Sequence, residues 1–146
     1  MLFEKIELRD GEQIIKKVNA SYHRGQDFGI ISNDGEMRIT NQRIIFKPFV
    51  ITSFLSGEKT LEIPLENIID VEKRKTLIVL ENGMQIKLRS GIDYKFTLNN
   101  RDMVVNLIKE HSINKSLNKI NEKIKEWKQE GYIVDELEQK VKSIEK

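Results

Sequence analysis

The hydrophobic period of this 146-residue chain changes once, near His111, and that change limits what the chain can fold into. Upstream, short apolar runs alternate with turn residues, as strands of a sandwich or barrel do. Downstream, apolar side chains recur at helical spacing and glycine occurs once, at Gly131. No strand–helix–strand alternation is present, which argues against a parallel α/β sheet. The pattern predicts a mainly β fold with α: an antiparallel β-domain with a capping helix over residues 1–111, then a helical hairpin over 112–146.

Within the first part, residues 12–18 read as a strand and 21–34 as a polar stretch holding Gly25 and Gly29. Gly35 opens a strand over 36–40, Asn41-Gln42 marks a turn, and Ile44, Ile45 and Phe46 carry the next strand. Pro48 ends it, because proline cannot donate to a ladder. Strands resume at 61–63 and 68–73. Residues 76–81 and 84–89 flank Asn82-Gly83, which predicts a two-residue type I′ hairpin turn, since Asn-Gly accepts positive φ at both positions. After a turn at Gly91, Tyr94, Phe96 and Leu98 share one side of a final strand.

Asn99 and Asn100 are both competent helix caps. Met103, Val104, Leu107 and Ile108 then make one apolar face over 101–110, with an interruption expected at His111-Ser112. Ile113, Leu117, Ile120, Ile124 and Trp127 follow at spacings of 4, 3, 4 and 3, a heptad seam. Gly131 suits a left-handed helix end, and Asp135 with Glu138 suits the start of another. Leu137, Val141 and Ile144 continue the stripe. Two helices alone have little room to bury it. It covers the β-domain, or it drives self-association into a homo-oligomer.

The chemistry that is missing narrows the function. There is no cysteine, so disulfides and thiol chemistry are excluded. His23 and His111 are the two histidines and lie far apart, so no metal is expected. Gly25, Gly29 and Gly35 lack the spacing of a phosphate loop. Glu66 and Asp70 are four residues apart, but on a turn and strand rather than a helix face, which does not suit an acid–base pair. No catalytic residue and no cofactor are nominated; an enzyme is not expected. The 25 basic and 23 acidic residues are interspersed, unlike a dedicated nucleic-acid surface. No apolar run reaches membrane-span length, and no signal-peptide core begins the chain. Cytoplasmic residence is the default, with a peripheral position at a membrane as its extension.

Two surfaces remain as candidates. Phe49, Val50, Ile51, Phe54 and Leu55 form an apolar segment in loop context. Exposed apolar patches mark contact sites, so this segment meets a membrane or a partner, unless it packs on the domain's own mouth or on the C-terminal hairpin. Lys73, Arg74 and Lys75, with Lys16 and Lys17 earlier, are candidate phosphate or lipid contacts; the plain alternative is a solvated turn.

Several runs line up with one family. Leu8-Arg9-Asp10-Gly11-Glu12 resembles the L-x-x-G-E opening of GRAM and bacterial PH-like domains. Met37-Arg38-Ile39-Thr40-Asn41-Gln42-Arg43-Ile44-Ile45-Phe46 is similar to their central T-N-x-R motif, and Ile63-Pro64-Leu65-Glu66-Asn67-Ile68-Ile69-Asp70-Val71 to the I-P strand entry that follows. The resemblance spans about residues 8–110 and implies a PH-like barrel or sandwich closed by a C-terminal helix, with the T-N-x-R motif serving mainly the fold. The tail around Trp127, Gly131, Tyr132 and Asp135 looks like short helical modules attached to prokaryotic PH-like domains, which implies an assembly role. The expected function is a non-catalytic binding or scaffold module for a membrane surface or protein segment. The alternative is an intracellular regulatory module that binds a peptide or nucleic acid without a membrane role.

Overall fold

The computed structural model describes residues 6–24, 28, 32–49, 59–77 and 79–145. Strands β1 (Ile14–His23), β2 (Ser32–Thr40), β3 (Arg43–Pro48) and β4 (Leu61–Pro64) lead through a 3₁₀ turn, Leu65–Asn67, to β5 (Ile68–Thr76), β6 (Leu80–Leu88) and β7 (Asp93–Thr97). Helices α1 (Arg101–Gln129) and α2 (Asp135–Glu145) follow. The strands form one antiparallel sheet in the order β4-β3-β2-β1-β7-β6-β5. It does not close, and β4 and β5 remain its two edges. The first half of α1 packs against β5, β6 and the 3₁₀ turn, as the capping helix should.

Alternation along the strands builds the core. Met37 and Ile39 of β2, Ile44 and Phe46 of β3, Ile63, Val71, Met84, Ile86 and Phe96 are buried together with Val104, Val105 and Ile108 of α1. Phe46 and Phe96 meet edge to face at 5.4 Å, an arrangement aromatic quadrupoles favour. Of the stretch 21–34 expected to be a polar loop, residues 21–23 instead lengthen β1 and 32–34 open β2. Tyr22 pairs opposite Phe96 of β7 and its ring lies 5.3 Å from the phenylalanine ring.

Two of the three glycine-based strand boundaries are overturned; the turn at Gly91 stands. Gly35 lies inside β2, opposite Pro48, where an added Cβ would sit 2.4 Å from the Lys47 carbonyl oxygen. The Asn82-Gly83 hairpin turn is also absent. The β5–β6 connection lies between Thr76 and Leu80, which pair with each other, and Gly83 is a strand residue opposite Arg74. Gly83 is not among the glycines with positive φ. It is needed because a Cβ there would lie 2.8 Å from the Arg74 carbonyl oxygen and 3.0 Å from the Phe28 ring. A strand glycine can serve close approach as well as a turn.

The interruption expected at His111-Ser112 does not occur. Both residues lie within α1, where the buried Ser112 hydroxyl donates to the Lys109 carbonyl at 3.1 Å. Such back-bonding satisfies serine without breaking a helix. The 111–112 division of the chain therefore falls inside one continuous helix. That helix stops as expected. Gly131 takes φ 90°, and the amides of Tyr132 and Gly131 donate to the carbonyls of Trp127 and Lys128 at 2.9 and 3.1 Å, the Schellman pattern. Leu117 and Ile124 of α1 then pack with Val134 and Val141, flanked by Trp127 and Leu137, in a second small core.

Candidate functional site

Strand direction places the β1–β2, β3–β4 and β6–β7 connections at one end of the sheet and the β5–β6 connection at the other. The divergence of β1 from β7 below the Ser21–Thr97 pair brings Phe49 and Asn82 to one cleft. Phe49, just past β3, donates its amide to the Asp34 carbonyl at 3.0 Å. The Leu98 amide reaches the Asn82 carbonyl at 3.1 Å, tying the end of β7 to β6. The cleft, of about 340 Å³, is lined by Asn19, Ser21, Asp34, Phe49, Asn82 and Asn99. Its polar walls are internally bonded: the Ser21 hydroxyl donates to Asp34, Thr76 bonds Asn82, and the His23 ring lies 2.9 Å from the Thr97 hydroxyl. Phe49 is 46% exposed on the rim. Val50, Ile51, Phe54 and Leu55 lie outside the described residues.

Arg101 organises the β5–β6 hairpin from beneath. Its side chain is buried, and it donates to the carbonyls of Arg74 at 2.9 Å and Gly83 at 3.2 Å. It also pairs with Glu81 at 2.8 Å and Asp102 at 2.7 Å. Those hydrogen bonds hold both carboxyls below their usual range. The guanidinium sits at the positive end of α1, and the two carboxylates offset that unfavourable placement.

The basic candidates separate into two groups. Lys73, Arg74 and Lys75 are exposed near the end of β5. They face Asp102 at 3.5 Å, Glu72 at 3.8 Å and Glu81 at 3.4 Å respectively. Lys16 and Lys17 are exposed at the start of β1, opposite Ile39 and Arg38. Strands β7 and β6 intervene between β1 and β5, so the fold does not bring the two groups together.

The helical stripe also divides. Leu117, Ile124 and Val141 are buried between α1 and α2, with Trp127 and Leu137 half-buried. Ile113, Ile120 and Ile144 remain exposed. A bond of 3.2 Å from Asn121 to Glu145 sets the end carrying Ile144 beside Ile120. At the turn, an apolar cleft of about 710 Å³ is bounded by Trp127, Tyr132, Ile133, Leu137 and Lys140.

Sequence reasoning missed Leu77, Val79 and Leu80, which are 81%, 73% and 45% exposed at the β5–β6 tip. Placing the turn at Asn82-Gly83 had put them in or beside a strand. Their lack of apolar–polar alternation was the available signal, since a half-buried strand alternates. Among the described residues, no group of three His, Cys, Asp or Glu side chains is placed to hold a metal. No helix among them is long and apolar enough to cross a membrane.

The antiparallel sheet with its capping helix defines a PH-like domain. The Vps36 N-terminal PH domain superposes with a TM-score of 0.58 at 16% identity, covering 74% of this chain and 84% of that one. The C-terminal domain of an unknown protein from Leishmania infantum gives 0.58 at 19%, covering 71% and 87%. The hSac2 domain of the human phosphoinositide phosphatase Sac2 gives 0.52 at 12%, covering 74% and 75%. The GRAM domain family model matches residues 2–117, and the chain belongs to that family. GRAM and PH-like domains are, as a class, binding modules rather than catalysts. No curated protein matches the sequence.

Proposed function

We propose that this chain is a non-catalytic scaffold that meets a membrane surface through the loop end of its GRAM domain and self-associates through its C-terminal helices. The observation that carries the membrane reading is Phe49. It stands 46% exposed on the rim of the loop-end cleft and opens the run Phe49-Val50-Ile51-Thr52-Ser53-Phe54-Leu55. A large apolar side chain beside a polar cleft suits an interface that is oily within and wet at its edge. The reading implies a cytoplasmic protein held peripherally at a membrane. Assembly is supported by Ile113, Ile120 and Ile144, which the hairpin's own core leaves uncovered.

Co-sedimentation with phosphatidylcholine vesicles, with and without phosphatidylserine, tests the membrane reading. Wild type pellets with at least one mixture and Phe49→Asp pellets less. A wild type that stays in the supernatant with every mixture refutes it. A protein segment is the other class of partner, favoured by the apolar cleft beside Trp127 and Ile133.

A further inference from the structure

We propose that the β5–β6 hairpin tip is itself a membrane-insertion element, and that its target is a bilayer carrying anionic lipid. The inference rests on the membrane reading above and assigns the inserting residues, Leu77 and Val79, together with the basic run behind them.

Conformation and exposure at the tip disagree with what folding alone would select. Leu77 takes φ 49°, a left-handed conformation in which asparagine or glycine is favoured over leucine. Its side chain is 81% exposed and that of Val79 is 73% exposed, so neither contributes much to the core. A residue that breaks a local rule without a packing gain points to function. The hairpin beneath is held firmly by contrast: the buried Arg101 guanidinium bonds the carbonyls of Arg74 and Gly83 on both of its strands.

Shape and charge select the target. Thr76 and Leu80 pair at the close of the hairpin, and Leu77 and Val79 beyond them hold their aliphatic side chains largely in solvent. Rigid protein surfaces would need a matching socket, whereas a bilayer deforms around a wedge. Lys73, Arg74 and Lys75 stand directly behind it, with side chains 45%, 45% and 63% exposed. Their exposed ion pairs at 3.4–3.8 Å are weak and are exchanged readily. Residues 72–83 hold three basic and two acidic side chains. The local charge is therefore only slightly positive, so insertion supplies most of the affinity and anionic lipid adds to it. Stable attachment by one short apolar element needs a second signal of this kind. Phe49 and Asn82, which lies two residues into β6 from Leu80, line one cleft.

The test compares wild type with the double variant Leu77→Asn/Val79→Asn on vesicles with and without phosphatidylserine. Asparagine suits the left-handed position, so the double variant folds, which a thermal melt verifies. Burying one such side chain is worth roughly ten- to a hundredfold in partitioning, so the variant binds at least tenfold more weakly. In a second measurement, Val79→Trp is made in a Trp127→Phe background. Its emission shifts to the blue with anionic vesicles and is quenched by brominated acyl chains. If wild type binds vesicles and the folded double variant binds equally well, the hairpin assignment is overturned while the membrane reading stands. If wild type binds no vesicle of any composition, the membrane reading itself fails.

Discussion

Glu12 and Arg43 form a buried, two-pronged ion pair. Arg43 Nε donates to Glu12 Oε2 at 2.9 Å and Nη2 to Oε1 at 3.0 Å, with both side chains almost wholly out of solvent. The Thr40 hydroxyl adds a bond of 2.8 Å to the same carboxylate. The pair joins the glutamate of the L-x-x-G-E run to the arginine of the T-N-x-R run. Asn41 completes the clamp, accepting from the Gln13 amide at 2.9 Å and donating to the Gly11 carbonyl at 3.0 Å. Removing one member of a buried pair costs about 3–5 kcal/mol. Arg43→Met lowers the free energy of unfolding by that amount in urea titrations. The double variant Glu12→Met/Arg43→Met recovers part of the loss, because no orphaned charge remains.

The same pair sets the acid limit. Burial pushes the Glu12 carboxyl up. The Arg43 guanidinium, Arg9 amide and Thr40 hydroxyl outweigh it and hold the group at about 2 against 4.5. A depressed carboxyl stabilises the fold above its unfolded value and loses that contribution as pH falls through the folded one. Stability from this group is therefore complete above 4.5 and disappears between 4.5 and about 2. It amounts to about 3 kcal/mol. Urea midpoints measured from pH 7 to pH 2 fall in this window, and Glu12→Gln flattens that part of the profile.

Gly83 tests the observed register. A side chain there meets the Arg74 carbonyl oxygen at 2.8 Å, which is backbone and cannot swing away. Gly83→Ala destabilises by about 1–3 kcal/mol, the usual cost of overpacking. Arg101→Met has a similar effect of about 1–3 kcal/mol, because it strands buried carbonyl acceptors. Thermal melts of the two single variants check this. A neutral Gly83→Ala would argue for a different register.

Much of the β-domain is readable from sequence because alternation and turns report locally. The Asn41-Gln42 turn, the core positions Ile39, Ile44, Phe46 and Phe96, and the left-handed stop at Gly131 all follow from local rules. Gly35 and Gly83 mislead because their use is tertiary: each makes room for a neighbouring strand. The helix continues through Ser112 because its buried hydroxyl finds a partner in the Lys109 carbonyl of the same helix and needs no break. The exposed Leu77–Val79 tip is hidden from sequence for the same reason, since its place follows from the register that Gly83 sets.

The exposed isoleucines separate assembly from folding. Ile120→Glu/Ile144→Glu removes apolar surface outside the hairpin core, so light scattering reports a lower mass while the melting temperature stays within a few degrees. Leu117→Ala cuts into the buried cluster of Leu117, Ile124, Val134 and Val141 and destabilises the hairpin by about 2–5 kcal/mol.

The most direct test of the membrane account is amide hydrogen exchange with and without anionic vesicles, since protection reports backbone shielding residue by residue. The account predicts slower exchange at residues 32–35 and 49, which border the cleft, and at 77–82 of the β5–β6 hairpin. It predicts no change at 41–42, the turn at the opposite end of β2. Vesicle protection confined to that opposite turn would contradict it.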